Sequence, residues 1–162
     1  MITQARIKEL FRYDRKTGHL IYRKRCGHNT PGMIAGSNNH PSGYRRIGID
    51  GKYYAASHLV WLYHKGWWPP ELDHRDLNKQ NNKISNLRLA NRTQQNANQR
   101  ARINNVLGIK GVHVRKDTGQ FRATITIYRK QRCLGSYWTL EEARMAYVRA
   151  AKKLFRDFAR AA

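Results

Sequence analysis

The chain has 162 residues, with 32 Lys and Arg against 10 Asp and Glu, a net charge of +22. No apolar run reaches the roughly 18 residues that a membrane-spanning helix needs. The two cysteines, Cys26 and Cys133, stand alone with no C-x-x-C pair, so a disulfide framework and a cysteine-based zinc site are both excluded. The length suits one medium domain or two small ones.

A charge this lopsided repels itself and is expected to serve a polyanionic partner. A basic tail would be blocky and poor in aromatics, but here Trp, Tyr and Phe make up 10% and are interleaved with the basic residues. No basic amphipathic helix or lipidation signal points to a membrane surface. Nucleic acid is the expected partner. Thirteen basic and four acidic residues lie from Gly108 onward, so both halves carry the excess. The N-terminus MITQARIKELFRYDRK lacks the apolar segment of a signal peptide, and a cytoplasmic location is expected.

Residues 4–12 predict a short amphipathic helix with Ile7, Leu10 and Phe11 on one side. The segment TGHLIYRKR reads as a strand, and Gly32, Gly36, Ser37, Asn38 and Asn39 mark a loop region. Alternating strands flank Asp50-Gly51, a hairpin signal. From Ser57 the spacing of Leu59, Val60, Leu62 and Tyr63 predicts a helix, which Gly66 and Trp67-Trp68-Pro69-Pro70 end.

The stretch ELDHRDLNKQNNKISNLRLANRTQQNANQR follows, from Glu71 to Arg100. Leu72-Asp73-His74 predicts the end of a short strand, Asp76 to Ser85 a polar turn region, Asn86 to Leu89 a second short strand, and Thr93 to Arg102 a helix. Asp73 and His74 are adjacent, so on a strand they point to opposite faces. A neutral histidine can take a proton from water, and a carboxylate can hold a hard divalent ion. Read alone, an Asp-His pair is more often a hydrogen-bonded surface pair, and Asn-rich loops are usually turn formers. The order and spacing of the whole run point past those readings.

The apolar pattern lapses near Asn104-Asn105 and restarts at Gly108, which places a domain boundary there. GIKGVHVRK, QFRATITIYRK and RCLGSYW predict three strands, with Gly119 in the first turn and the second turn near Arg129 to Arg132. Thr139 and Glu142 form a capping box. The helix it opens puts Ala143, Ala146, Tyr147, Ala150, Leu154 and Phe158 on a core face.

The pattern D-H-x-D-x-N-x-x-N-N-x-x-x-N-L-R from Asp73 to Arg88 resembles the HNH nuclease motif of phage and intron-encoded homing endonucleases, and SHLVWLYHKGWWPPEL resembles the segment preceding it. The resemblance implies a ββα-metal unit at about residues 71–102. It implies that His74 is the general base, that Asp73 is a metal ligand and that Asn86 ties the strands together. The helix position nine residues after Asn86 is Gln95, where the family has His or Asn, with Asn96 beside it; both are candidate ligands. Ser57-His58 stands where relatives commonly show His-Arg. Lys79, Lys83 and Arg88 are candidate phosphate contacts. The implied ion is Mg²⁺, with Mn²⁺ as the alternative and no zinc expected.

The C-terminal segment resembles the ethylene-response-factor (APETALA-type) DNA-binding domain. The matching marks are Lys110-Gly111-Val112, Phe121, Ala123, Leu134-Gly135, Tyr137, Glu141-Glu142-Ala143 and Ala146-Tyr147. The resemblance implies a sheet that enters the major groove, with Lys110, His113, Arg115, Lys116, Arg122, Thr124, Thr126, Arg129 and Arg132 against DNA. An outward sheet face rich in Arg and Thr suits base edges and phosphates on physical grounds too.

The expected architecture is thus α+β: a ββα-metal HNH nuclease module in residues 1–105, then a three-stranded antiparallel sheet packed on one helix in residues 106–162. The expected function is metal-dependent hydrolysis of double-stranded DNA by a monomer or homodimer. The rival readings are a DNA-binding, regulatory protein with a decayed nuclease site and an RNA-binding protein.

Overall fold

The computed structural model describes residues 2–99, 101 and 105–159. The fold mixes α and β, and the chain divides into two compact units, residues 1–89 and 90–162. Among the described residues no helix is long and apolar enough to cross a membrane.

The first unit opens with α1 (Gln4–Leu10), whose N-terminus is capped by the Thr3 hydroxyl. The helix ends two residues short of the predicted 4–12, because Phe11 turns extended and begins β1 (Phe11–Tyr13). That strand pairs antiparallel with β2 (Leu20–Tyr22). A second hairpin joins β3 (Arg46–Ile49) to β4 (Lys52–Ala55) around Asp50-Gly51, both at positive φ. This is the two-residue turn that the Asp-Gly pair predicts. Helix α2 (Ala56–Lys65) stops at Gly66, whose φ of 80° lets its N–H reach the Leu62 carbonyl. The Asp-His stretch supplies β5 (Leu72–His74) and β6 (Leu87–Leu89), which pair antiparallel. Ile7, Phe11, Leu20, Ile47, Leu59 and Val60 form the fully buried centre of this unit.

The second unit contains α3 (Arg92–Asn98), β7 (Val112–Val114), β8 (Phe121–Ile127), β9 (Lys130–Tyr137) and α4 (Leu140–Phe155). Helix α3 starts at an Asn91–Gln94 capping box and leaves helical geometry at Gln99. It is therefore shorter than the predicted Thr93–Arg102, whose last residue lies outside the described ones. The three strands form one antiparallel sheet in the order β7-β8-β9, and α4 packs on it.

Two further details differ from the sequence reading. The β8–β9 turn is tighter than predicted: Tyr128 and Arg129 alone form it, both at positive φ, and Arg132 lies inside β9 opposite Ile125. The core stripe of α4 runs through Ala143, Ala146, Tyr147, Ala151 and Phe155, while Leu154 is 43% exposed. Continuing the i, i+4 row from Tyr147 reaches Ala151 and Phe155, one residue past the positions expected. Phe158 falls in a separate 3-10 turn, Arg156–Phe158.

Candidate active site

The strand pair β5–β6 fixes the central residues through its register. Asp73 stands opposite Arg88, and His74 opposite Leu87. Arg88 Nε donates to Asp73 Oδ2 at 2.8 Å, and Arg88 Nη2 lies 2.8 Å from the same oxygen. Both side chains are largely buried, so the pair is shielded from solvent screening. Arg88 was expected to clamp phosphate; the structure instead aims its guanidinium at Asp73, where it orients the carboxylate.

His74 is buried, at 4% exposure. Its Nε2 lies 3.1 Å from Asn82 Oδ1, and the Tyr44 ring centroid is 5.8 Å away. Burial pushes the imidazole below its ordinary pKa; the Asn82 hydrogen bond and the nearby Asp76 and Asp73 carboxylates oppose that shift without cancelling it. A histidine held neutral near pH 7 is equipped to accept a proton.

The polar loop between the strands is organised by its amides. Asn86 Nδ2 donates to Asp76 Oδ1 at 2.9 Å and to the Asn81 carbonyl at 2.8 Å, and Asn86 Oδ1 accepts from the Asp76 N–H at 3.1 Å. Its backbone carbonyl accepts from the Arg75 N–H. Asn81 Nδ2 and the Asn78 N–H also donate to Asp76. Burial alone would raise the Asp76 pKa, but these hydrogen bonds outweigh it and hold the carboxyl below its usual range. The loop is fastened to the rest of the unit as well. The Ile84 N–H donates to the Tyr13 hydroxyl at 3.0 Å, and Lys79 Nζ donates to the Ser42 carbonyl while lying 4.8 Å from the Tyr44 ring centroid. Lys79 and Lys83 are exposed.

Gln95 and Asn96 belong to the second unit. They sit on α3, where the Gln95 carbonyl accepts from the Gln99 N–H and Lys110 Nζ donates to the carbonyls of Asn96, Ala97 and Gln99. Lys110, expected against DNA, thus caps the C-terminal end of α3, where a cation meets the negative end of the helix dipole. Of the other residues expected to meet DNA, His113, Lys116, Arg122, Thr126, Arg129 and Arg132 are exposed. Arg115 forms an ion pair with Asp117. Thr124 departs from expectation: it is 7% exposed, held mid-sheet by a backbone bond to Gly111 and by Gln131 Nε2, which donates to its hydroxyl.

Three residues at this site were not singled out from the sequence. Asn82 read only as part of an Asn-rich run, Tyr44 had no motif around it, and His58 was noted only as standing where relatives commonly show His-Arg. His58 is pushed to lower pKa by burial and then by the charge of His74, and its ring packs 5.3 Å from Trp68. The Asn81-Asn82 doublet was the one available signal.

Among the described residues no three His, Cys, Asp or Glu side chains gather into a metal cluster. The donor that the first unit offers is a carboxylate oxygen from Asp73, a ligand type that suits a hard divalent cation. No curated protein and no solved structure matches the chain. Residues 54–97, from the end of β4 to α3, match the family model described as HNH endonuclease, and this supports an HNH nuclease.

Proposed function

We propose that the protein is a metal-dependent DNA endonuclease of the HNH homing type, which hydrolyses phosphodiester bonds in double-stranded DNA. The observation that carries this reading is the buried, neutral-leaning His74 beside the oriented Asp73 carboxylate, within the segment that matches the HNH endonuclease model. His74 is the general base that takes a proton from the attacking water. Asp73, held by Arg88, would supply a carboxylate oxygen to a divalent ion, Mg²⁺ or Mn²⁺, and Gln95 or Asn96 would be the candidate for an amide oxygen. When bound, the ion offsets charge on the phosphate and the leaving oxygen. Asn86 keeps the loop that follows His74 in shape. Lys79 and Lys83, exposed on that loop, contact flanking phosphates.

Residues 106–162, the sheet-and-helix part of the second unit, act as a domain that docks the enzyme on DNA in the manner of an ethylene-response-factor domain. Exposed His113, Lys116, Arg122, Thr126, Arg129 and Arg132 on and around its sheet support this role. Phosphate contacts position such a protein, and the Arg side chains can read guanine.

The test is the His74→Ala variant. Cleavage is expected to vanish while DNA affinity, read by gel shift, stays within about threefold of wild type, an energy difference under 1 kcal/mol. Equal loss of both would make His74 a structural residue. One observation favours a second reading: Gln95 stands at the helix position where His or Asn is expected. A longer amide arm that fails to hold the ion would leave a DNA-binding protein without cleavage.

A further inference from the structure

We propose that Asn82 is a positioning residue that fixes His74 as the tautomer protonated on Nε2, which leaves the lone pair on Nδ1. The inference rests on the reading of His74 as the general base.

Asn82 is 1% exposed, so its amide has little water to bond and must find protein partners. It has two. Its Nδ2 donates to the Gln80 carbonyl at 3.4 Å, and its Oδ1 lies 3.1 Å from His74 Nε2. The bond to Gln80 sets the amide with its oxygen toward the ring. An amide oxygen only accepts, so the ring nitrogen facing it must donate. A neutral imidazole has one N–H, and placing it on Nε2 puts the lone pair on Nδ1.

The position of Asn82 is enforced by its surroundings. Gly18, in the β1–β2 turn, passes so close that a Cβ there would lie 2.7 Å from the Asn82 carbonyl carbon and 2.4 Å from the Lys83 nitrogen. The chain on either side of Asn82 is held as well: the Ile84 N–H donates to the Tyr13 hydroxyl, and Asn86 Nδ2 donates to the Asn81 carbonyl. The Tyr44 ring packs near the imidazole. A residue needed only to fill this space could be apolar. An amide aimed at the general base does more, since a histidine whose orienting partner is lost presents the wrong nitrogen.

The test reads the ring directly. The full-length protein is labelled with ¹⁵N-histidine and observed without DNA or metal at about pH 8, above the ordinary imidazole pKa of about 6.5. The His74 signals are assigned by their loss in His74→Ala. Wild type is expected to show a protonated Nε2 and an unprotonated Nδ1. Asn82→Asp retains an acceptor and is expected to keep that pattern. Asn82→Leu, similar in volume but without an acceptor, is expected to lose it, and to lower kcat for plasmid cleavage about 10- to 100-fold with KM nearly unchanged. A wild-type ring protonated on Nδ1 overturns the proposal, and so does a folded leucine variant with an unchanged pattern. If the leucine variant does not fold, the wild-type pattern and its retention in Asn82→Asp decide. The expected patterns in proteins that never cut DNA would uphold the tautomer assignment and overturn the nuclease reading.

Discussion

Asp73 and Arg88 meet across β5 and β6, and that contact shows where residue-level reading of the sequence succeeds and where it stops. Asp73 and His74 were legible as a pair because their chemistry is local. The burial of Arg88 was not legible, since it follows from a cross-strand register that exists only once the strands pair. Gly18 carries a second hidden constraint. Its φ is 79°, and a Cβ would collide with the backbone at Lys83. Gly18→Ala is expected to cost roughly 3 kcal/mol, from left-handed strain plus overpacking, and to lower the melting temperature. A second expectation at this scale concerns pH. Burial lowers the pKa of His74, and burial together with the charge of His74 lowers that of His58. The unfolded chain therefore takes up these protons first as pH falls. Stability is expected to be level above about pH 7.5, to fall as pH drops through about 6.5, and to flatten below the folded-state values. Thermal melts between pH 5 and 8 check this, and the slope should shrink in His74→Gln.

At the scale of elements, caps and turns decide the second unit. The Thr139–Glu142 capping box was legible because its spacing is diagnostic, and it is present at the start of α4. Thr139→Ala is expected to cost about 1 kcal/mol, read by denaturant unfolding. The β8–β9 turn was placed only roughly, because Tyr128-Arg129 carries no turn signature. Tyr128 and Arg129 adopt φ of 47° and 65°, the left-handed region that Asn-Gly fills without strain. Replacing them with Asn-Gly is expected to stabilise the unit by about 1 kcal/mol, a change visible in the same unfolding curves. The stripe of α4 was misplaced by one residue at its end, where Ala150–Ala151 and Leu154–Phe155 offer equivalent apolar neighbours. Packing, not the pattern, chose Ala151 and Phe155.

For the molecule as a whole, the sequence made the strand–loop–strand–helix order and the three-stranded sheet on one helix legible, because hydrophobic period and turn residues agree there. The grouping of α3 was less legible. Its capping box marks where the helix starts, but Ala97 joins a core otherwise built from the C-terminal elements, and no local signal announces that. The +22 charge is a whole-molecule property with a direct consequence. Binding to DNA should weaken steeply with salt, the logarithm of affinity falling by about 0.9 per phosphate neutralised for each tenfold rise in salt. A flat dependence would count against a phosphate-facing surface. Nuclease activity is read from supercoiled plasmid incubated with the wild-type protein and with His74→Ala, in Mg²⁺, in Mn²⁺ and in chelator. Relaxed or linear product is expected from wild type with metal, and none with chelator or with the variant. Plasmid bound but uncut by wild type with either metal would contradict the nuclease reading.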